Sequence, residues 1–397
     1  MDVQIVDWLA LTTRWLHIVF GAAWIGASFY FNWLNNHIRP VEEGDAPEGV
    51  DGELWSVHGG HFYQVAKYKV APAKLPKILH WFKYEAYFTW ISGATLLALV
   101  YYLEPSAYLI DRTVYDLHPH LGITIGVGTL VLGWVVYHLL CKSPLGRYPV
   151  PFAVLGFALL TGVAFGLSQI FGARAAYMHV GALIGTIMAW NVFFIIIPNQ
   201  KILVDTMTKG EEPAASLGIA ASQRSLHNNY LTLPVLFIMV SNHYPMTFGH
   251  EWNWALLAGI SLVGAGVRHW FNLKGKGKKN VWILPVAAAG MVGLALVSAP
   301  RNTTYEGEAS FEMVRDIIDR RCVECHSAQP TGDIYDVAPQ GVMFDEPAQI
   351  LDRAARINNQ VVITRQMPLS NLTQITDEER QIIGAWFRRG AAGPTTD

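Results

Sequence analysis

Five consecutive residues near the C-terminal end carry the most specific chemistry in this sequence: Cys322-Val323-Glu324-Cys325-His326. Two thiols at i and i+3 followed at once by histidine form the C-x-x-C-H signature of covalent haem c attachment. The thiols reach two vinyl groups of one haem, and the histidine supplies an axial nitrogen. A zinc half-site is the competing use of such a pair. It lacks its complement here, because the only other cysteine is Cys141. A sixth iron ligand would come from a downstream Met or His. His326 is the sole histidine after residue 300, which leaves Met343 and Met367. Met367-Pro368 sits in an irregular Pro/Ser/Asn stretch that suits a ligand loop, whereas Met343, in Gly341-Val342-Met343-Phe344, reads as a core side chain. His326/Met367 ligation raises the potential, so this haem should accept electrons.

A second set of chemically capable residues lies in otherwise apolar stretches: His17, His179, Arg14, Lys83, Glu85 and Arg268, with His80, His138, His227 and His269 near the ends of such stretches. Ionisable groups within a bilayer are costly and are functional by default. The plain reading of any one of them is an interhelical hydrogen bond. Three functional readings stand beside it. His17 and His179 could ligate a haem b, the inner histidines could bind a metal or substrate, and His118, His120, His243 and His250 could form a loop metal site.

The elements that must position these residues follow from composition. The chain has 397 residues, 52% hydrophobic and 15% charged, with net charge −2. Residues 1–300 are about 12% charged and residues 301–397 about 26%, against roughly 25% in a soluble domain. An ordinary soluble enzyme is thereby excluded, and so is a nucleic-acid partner, since no basic surplus exists to neutralise phosphates. We expect an all-α fold in two domains: a polytopic membrane bundle over 1–300 and a class I cytochrome c-like domain over 301–397.

About eight segments are long enough to span a bilayer, near 9–34, 80–103, 121–141, 150–171, 175–197, 226–243, 252–272 and 281–298. Asp2 and Asp7 stand where a secretory leader would be basic, so the first segment is expected to be a span. Loops after spans 1, 3, 5 and 7 hold fourteen Lys/Arg, among them Arg39, Lys67, Lys69, Lys74, Lys77 and Arg224. Loops after spans 2, 4 and 6 hold only Arg112 and Arg174. The positive-inside rule then puts both termini in the periplasm of an inner-membrane protein. A 4+4 repeat is visible in the pairs His17/His179, His80/His227 and His138/His269. In the loop after span 1, Leu54 to Val65 alternates around Gly59-Gly60 as a hairpin would, and the lysines beyond it suggest either a lid that attracts an anion or a topology signal alone.

With this architecture assembled, the chain resembles the bacterial integral-membrane urate oxidases (urate hydroxylases) that carry a C-terminal cytochrome c domain. The resemblance spans the whole length. It rests on Leu16-His17 followed by Gly21, Trp24 and Gly26; on His58-Gly59-Gly60-His61-Phe62-Tyr63; on His80-Trp81-Phe82-Lys83-Tyr84-Glu85-Ala86-Tyr87; and on Cys322 to His326 with Met367-Pro368. More distantly, Tyr137-His138 with Cys141 looks like membrane families related to protoporphyrinogen oxidase and copper-resistance proteins, some of which bind haem b. The resemblance implies oxidation of urate to 5-hydroxyisourate with water as oxygen source. Electrons would leave through haem c to a soluble or membrane cytochrome c or a terminal oxidase.

For such a substrate, a planar anion, the expected partners near the inner side are Arg224, Gln223, Asn228, Asn229, Lys83, Trp81 and Phe82. Glu85, with Lys83, His80 and His227, is the expected catalytic group; Glu85 would take protons as electrons leave. Two other classes remain at this stage: an electron-transfer subunit or dehydrogenase of a respiratory complex, and a histidine-based metal transporter or sensor.

Overall fold

The computed structural model describes residues 3–41, 49–68, 76–299, 305–332 and 334–394, so Lys69 and Lys74 of the basic loop lie outside the described residues. The chain is mostly helical. Helix α1 is Val3–His37. A hairpin follows, β1 Val50–His58 with β2 His61–Tyr68, antiparallel with His58 opposite His61. Gly59 and Gly60 both take positive φ (59° and 81°), which the two-residue turn requires and glycine adopts without strain.

Helix α2 is Tyr84–Leu97 and runs on through a π turn, Ala98–Tyr102. The expected second span therefore starts late, and His80, Trp81 and Lys83 precede the helix rather than lie in it. A single-turn helix α3, Pro105–Tyr108, comes next, then α4 Pro119–Lys142 and α5 Pro149–Ser168. Each opens on a proline, whose fixed φ and missing N–H suit a first helical position.

The second half repeats this order. Helix α6, Ala173–Asn191, continues through a π turn, Val192–Ile196, into α7, Ile197–Thr208. Helix α8 is Ala215–Ser241, eleven residues longer at its start than the expected sixth span, so Gln223 and Arg224 lie on the helix and not in a loop. The single-turn helix α9, Pro245–Phe248, precedes α10, Asn253–Gly275, and α11, Ile283–Val297. Helices α3 and α9, which the sequence reading did not anticipate, occupy matching places after α2 and α8. Both carry proline at their start, and their preceding residues have nearly the same dihedrals: Glu104 at φ −124°, ψ 66° and Tyr244 at φ −129°, ψ 73°.

Three helical stretches are long and apolar enough to cross a membrane: Pro119–Lys142, Pro149–Ser168 and Ala173–Thr208. Helix α6 is the hub, buried along most of its length and packed on α2, α4, α5, α8 and α10. The bundle's exterior is apolar, with Leu132, Val150, Val154 and Leu296 each at least 65% exposed. A continuous apolar exterior of this kind marks a surface made for lipid or for a partner.

The tail has its own core. Helix α12, Phe311–Arg321, and helix α15, Asp377–Arg388, meet through Phe311 and Trp386, with short helices α13 (Pro347–Asp352) and α14 (Ala354–Ile357) closing the side. Thr376 caps α15 in a capping box with Glu379.

Candidate functional site

Two places gather chemistry. In the tail, α12 ends at Arg321 and the chain makes one further turn, in which the Cys325 and His326 N–H groups both donate to the Cys322 carbonyl. Spacings of three and four residues thus bring Cys322, Cys325 and His326 to one wall of a cavity of about 270 Å³. Val342, Phe344, Ile357, Val361, Leu369 and Leu372 give it an apolar lining, and Met367 borders it too. The His326 Nδ1 donates to the Val342 carbonyl at 2.9 Å, which fixes the ring and leaves Nε2 outside that bond. The Met367 loop is held by Arg380, which donates to the carbonyls of Val361 and Met367 and to Asn371 Oδ1. Burial, and the nearby Arg365 charge, bring the Arg380 pKa down to about 10. Burial opposes ionisation of Glu379, but the Thr376 N–H and the Arg321 and Arg320 guanidiniums outweigh it and hold the carboxylate below its ordinary range. The Cys322 thiol is pushed up to about 12, by burial first and by the neighbouring Cys325 thiol second.

The second place lies between α4, α6 and α8. Arg224 is 3% exposed. Its Nη2 donates to the His138 Nδ1 at 3.3 Å and to the His138 carbonyl at 3.4 Å, and its guanidinium lies 4.9 Å over the Tyr137 ring. Its Nη1 has no hydrogen-bond partner, and no carboxylate pairs with it among the described residues. Beside it, Asn191 donates to Tyr137 Oη and to Asn228 Oδ1, both at 3.0 Å, while its own Oδ1 is buried without a partner. Tyr137 Oη also meets His227 Nδ1 at 2.8 Å, and Trp134 stacks on His138 with its Nε1 buried and unpartnered. A buried cation, an open amide acceptor, an open indole donor and stacked rings suit a flat anion bearing both donors and acceptors.

The model of the family described as urate oxidase N-terminal matches residues 3–299. The chain belongs to this family. The matched region contains the Arg224 cluster and the hairpin and stops before the cavity of the tail. No curated protein and no solved structure matches the chain.

Within the family region, the expected residues separate. Arg224, Asn228 and His227 converge. Gln223 does not join them, because its amide donates to the Gly146 carbonyl at 2.7 Å and ties α8 to the α4–α5 loop. Lys83 sits over the Tyr84 ring at 4.8 Å, His80 packs edge-on to Phe82, and Trp81 packs beside Ala86, Val192 and Ile197. Glu85 has a buried Oε2 with no partner and makes no ion pair with Lys83 or Arg268. Asn229 turns the other way along α8, accepting from Arg268 and Asn272 at 2.9 Å. His269 meets Tyr230 at 2.7 Å.

The outer histidines are hydrogen-bonded within the bundle. His179 Nδ1 donates to the Ala175 carbonyl and its Nε2 meets Tyr102 Oη at 2.9 Å, so both nitrogens are engaged. His17 Nδ1 bonds the Thr89 carbonyl and Ser92. His179 therefore has no open ring nitrogen as placed, whereas His17 has only its Nδ1 engaged. Among the described residues no three His, Cys, Asp or Glu side chains converge as metal ligands, the loop histidines His118, His120, His243 and His250 included.

Asn191, Tyr137 and Trp134 are members of the cluster that sequence reasoning did not assign to a substrate. Asn191 could have been found, as the one amide side chain in the apolar run from Val180 to Ile197.

Proposed function

We propose that this member of the urate oxidase N-terminal family is a membrane-embedded oxidoreductase that converts urate to 5-hydroxyisourate. Water supplies the added oxygen, and electrons leave through a haem c carried by the tail to a cytochrome c or terminal oxidase. Residues 1–300 form the eight-span membrane domain and 301–397 a cytochrome c-type domain, with both termini on the periplasmic side of the inner membrane. The asymmetry of Lys and Arg between alternate loops supports that orientation.

The single observation that carries the substrate assignment is Arg224, a buried guanidinium with no carboxylate partner and an open Nη1. An uncompensated charge costs several kcal/mol in such a place, on the order of that for other buried unpaired ions, and a bound anion removes the cost. Urate is an anion at neutral pH. Arg224 would pair with it, the open Asn191 Oδ1 would accept from a ring N–H, the open Trp134 indole N–H would donate to a carbonyl group, and His138 and Tyr137 would cover its faces. Conversion consumes urate and one water and releases two electrons and two protons. His227, hydrogen-bonded to Tyr137, would accept a proton, and Glu85 is a further base on α2.

In the tail, the donor set fits a haem c: two thiols three residues apart, a histidine with its Nδ1 already committed, and Met367 at the border of an apolar cavity. Cys322 and Cys325 would bind it covalently, and His326 and Met367 would hold its iron. When bound, haem c supplies one-electron acceptance at a raised potential. Arg380 and the Val342 carbonyl hold those two ligands in place.

The test is turnover of urate by purified protein in ¹⁸O-labelled water, without O₂, with an excess of oxidised cytochrome c. The expected product is 5-hydroxyisourate carrying one label. Unlabelled product, or consumption that requires O₂, would overturn the reading.

A further inference from the structure

The two single-turn helices α3 and α9 occupy equivalent places in the two halves of the bundle, and both touch the tail. Helix α3 packs against the one-turn segment Leu369–Asn371, two residues beyond Met367. Tyr108, its last residue, brings its hydroxyl 3.2 Å from that of Tyr335. Beyond α9, Gly249 approaches the tail so closely that a Cβ there would lie 3.0 Å from the Thr364 carbonyl oxygen. Tyr335 and Leu369 in turn line the same cavity as Cys325, His326 and Met367. One edge of that cavity is therefore seated on the bundle beside a pair of turns in matching places.

We propose that α3 and α9 are a docking platform for the tail's cavity edge, and that Tyr108 and Tyr335 are the positioning pair that sets the distance for internal electron transfer. This rests on the reading that electrons leave the bundle through the tail. It adds that they enter by the edge bordered by Tyr335 and Leu369, so an external acceptor must approach a different edge. At Gly249 a side chain would crowd both the Pro245 carbonyl of its own turn, at 2.9 Å, and the Thr364 carbonyl of the tail, at 3.0 Å.

The test uses the full-length, haem-loaded protein in membranes. A Ser106→Cys/Ser370→Cys pair, on α3 and on the one-turn segment packed against it, treated with a short thiol-to-thiol cross-linker should join in most molecules, as read by peptide mass spectrometry, while either single variant should not. The cross-linked protein should keep urate-driven haem reduction within about twofold of wild type, since the seated tail is the transferring state. Tyr108→Phe/Tyr335→Phe should slow urate-driven reduction at least fivefold with the haem spectrum and reduction by ascorbate unchanged. Cross-linking in that background should restore most of the rate. Absence of the cross-link, a wild-type rate in the double phenylalanine variant, or loss of reduction in the cross-linked protein would overturn the platform. Failure of urate to reduce the wild-type haem would count against the urate reading instead, and the cross-link, which needs no substrate, would still decide the platform.

Discussion

Two buried arginines in this chain are treated in opposite ways. Arg380 of the tail, 6% exposed, finds the carbonyls of Val361 and Met367 and the amide oxygen of Asn371. Arg224 of the bundle, 3% exposed, finds one imidazole and one carbonyl at 3.3–3.4 Å and leaves an entire nitrogen unpartnered. Burial alone therefore says little about role. What differs is whether the protein supplies all the acceptors. Arg380 is complete, so its work is to hold a loop. Arg224 is incomplete, and an incomplete buried donor is a place where a ligand gains what the protein withholds.

The contrast predicts different failures. Arg224→Met should lower urate-driven haem reduction by roughly 100-fold, since losing a buried charge partner costs about 3 kcal/mol. Haem content should stay as in wild type and thermal stability without urate should rise, since an unpaired buried charge is removed; equal turnover in that variant would remove Arg224 from the site. Arg380→Met should instead destabilise the tail by about 3 kcal/mol, because buried carbonyls lose their donor, and should loosen the Met367 loop. Denaturant unfolding followed at the haem band measures both, and an unshifted midpoint would show the arginine to be dispensable.

Acid should act on the tail in a defined direction. Glu379 is held below its ordinary range, so the folded tail has its full contribution above about pH 4.5, the ordinary value, and loses it as pH falls through the lower folded value. A Glu379→Gln variant should flatten that acid limb. Thr376→Ala removes only the cap of α15 and should cost about 1 kcal/mol. Smallest of all is Gln223→Leu: its amide serves the Gly146 carbonyl, so KM for urate should move less than about twofold, although Gln223 is one residue from Arg224.

The legibility of the molecule in its sequence followed the same division. Helices occupy all eight intervals marked by apolar runs, since a helix satisfies its backbone hydrogen bonds within the segment itself, and three of these stretches are long and apolar enough to cross a membrane. The hairpin was readable because Gly59-Gly60 between alternating residues allows little else. In the tail, Cys322, Cys325, His326 and Met367 border one cavity, as the local spacing implies, since three of them lie within one turn. The bundle's cluster was only half readable. Arg224, Asn228 and His227 share α8 and could be grouped by helical spacing, but Asn191 and Tyr137 arrive from α6 and α4, and no local pattern says which helices meet. For the same reason Lys83, Trp81, His80 and Gln223, grouped by their neighbourhood along the chain, point elsewhere in the fold. Helices α3 and α9 were too short to carry any periodicity.

The account's central claim joins a urate site in the bundle to an electron acceptor in the tail, and anaerobic titration of the purified protein with urate tests it most directly. Each urate should reduce two equivalents of c-type haem, whether in the tail or in added cytochrome c, with 5-hydroxyisourate formed in step. Haem that stays oxidised while urate is bound or consumed would contradict the account.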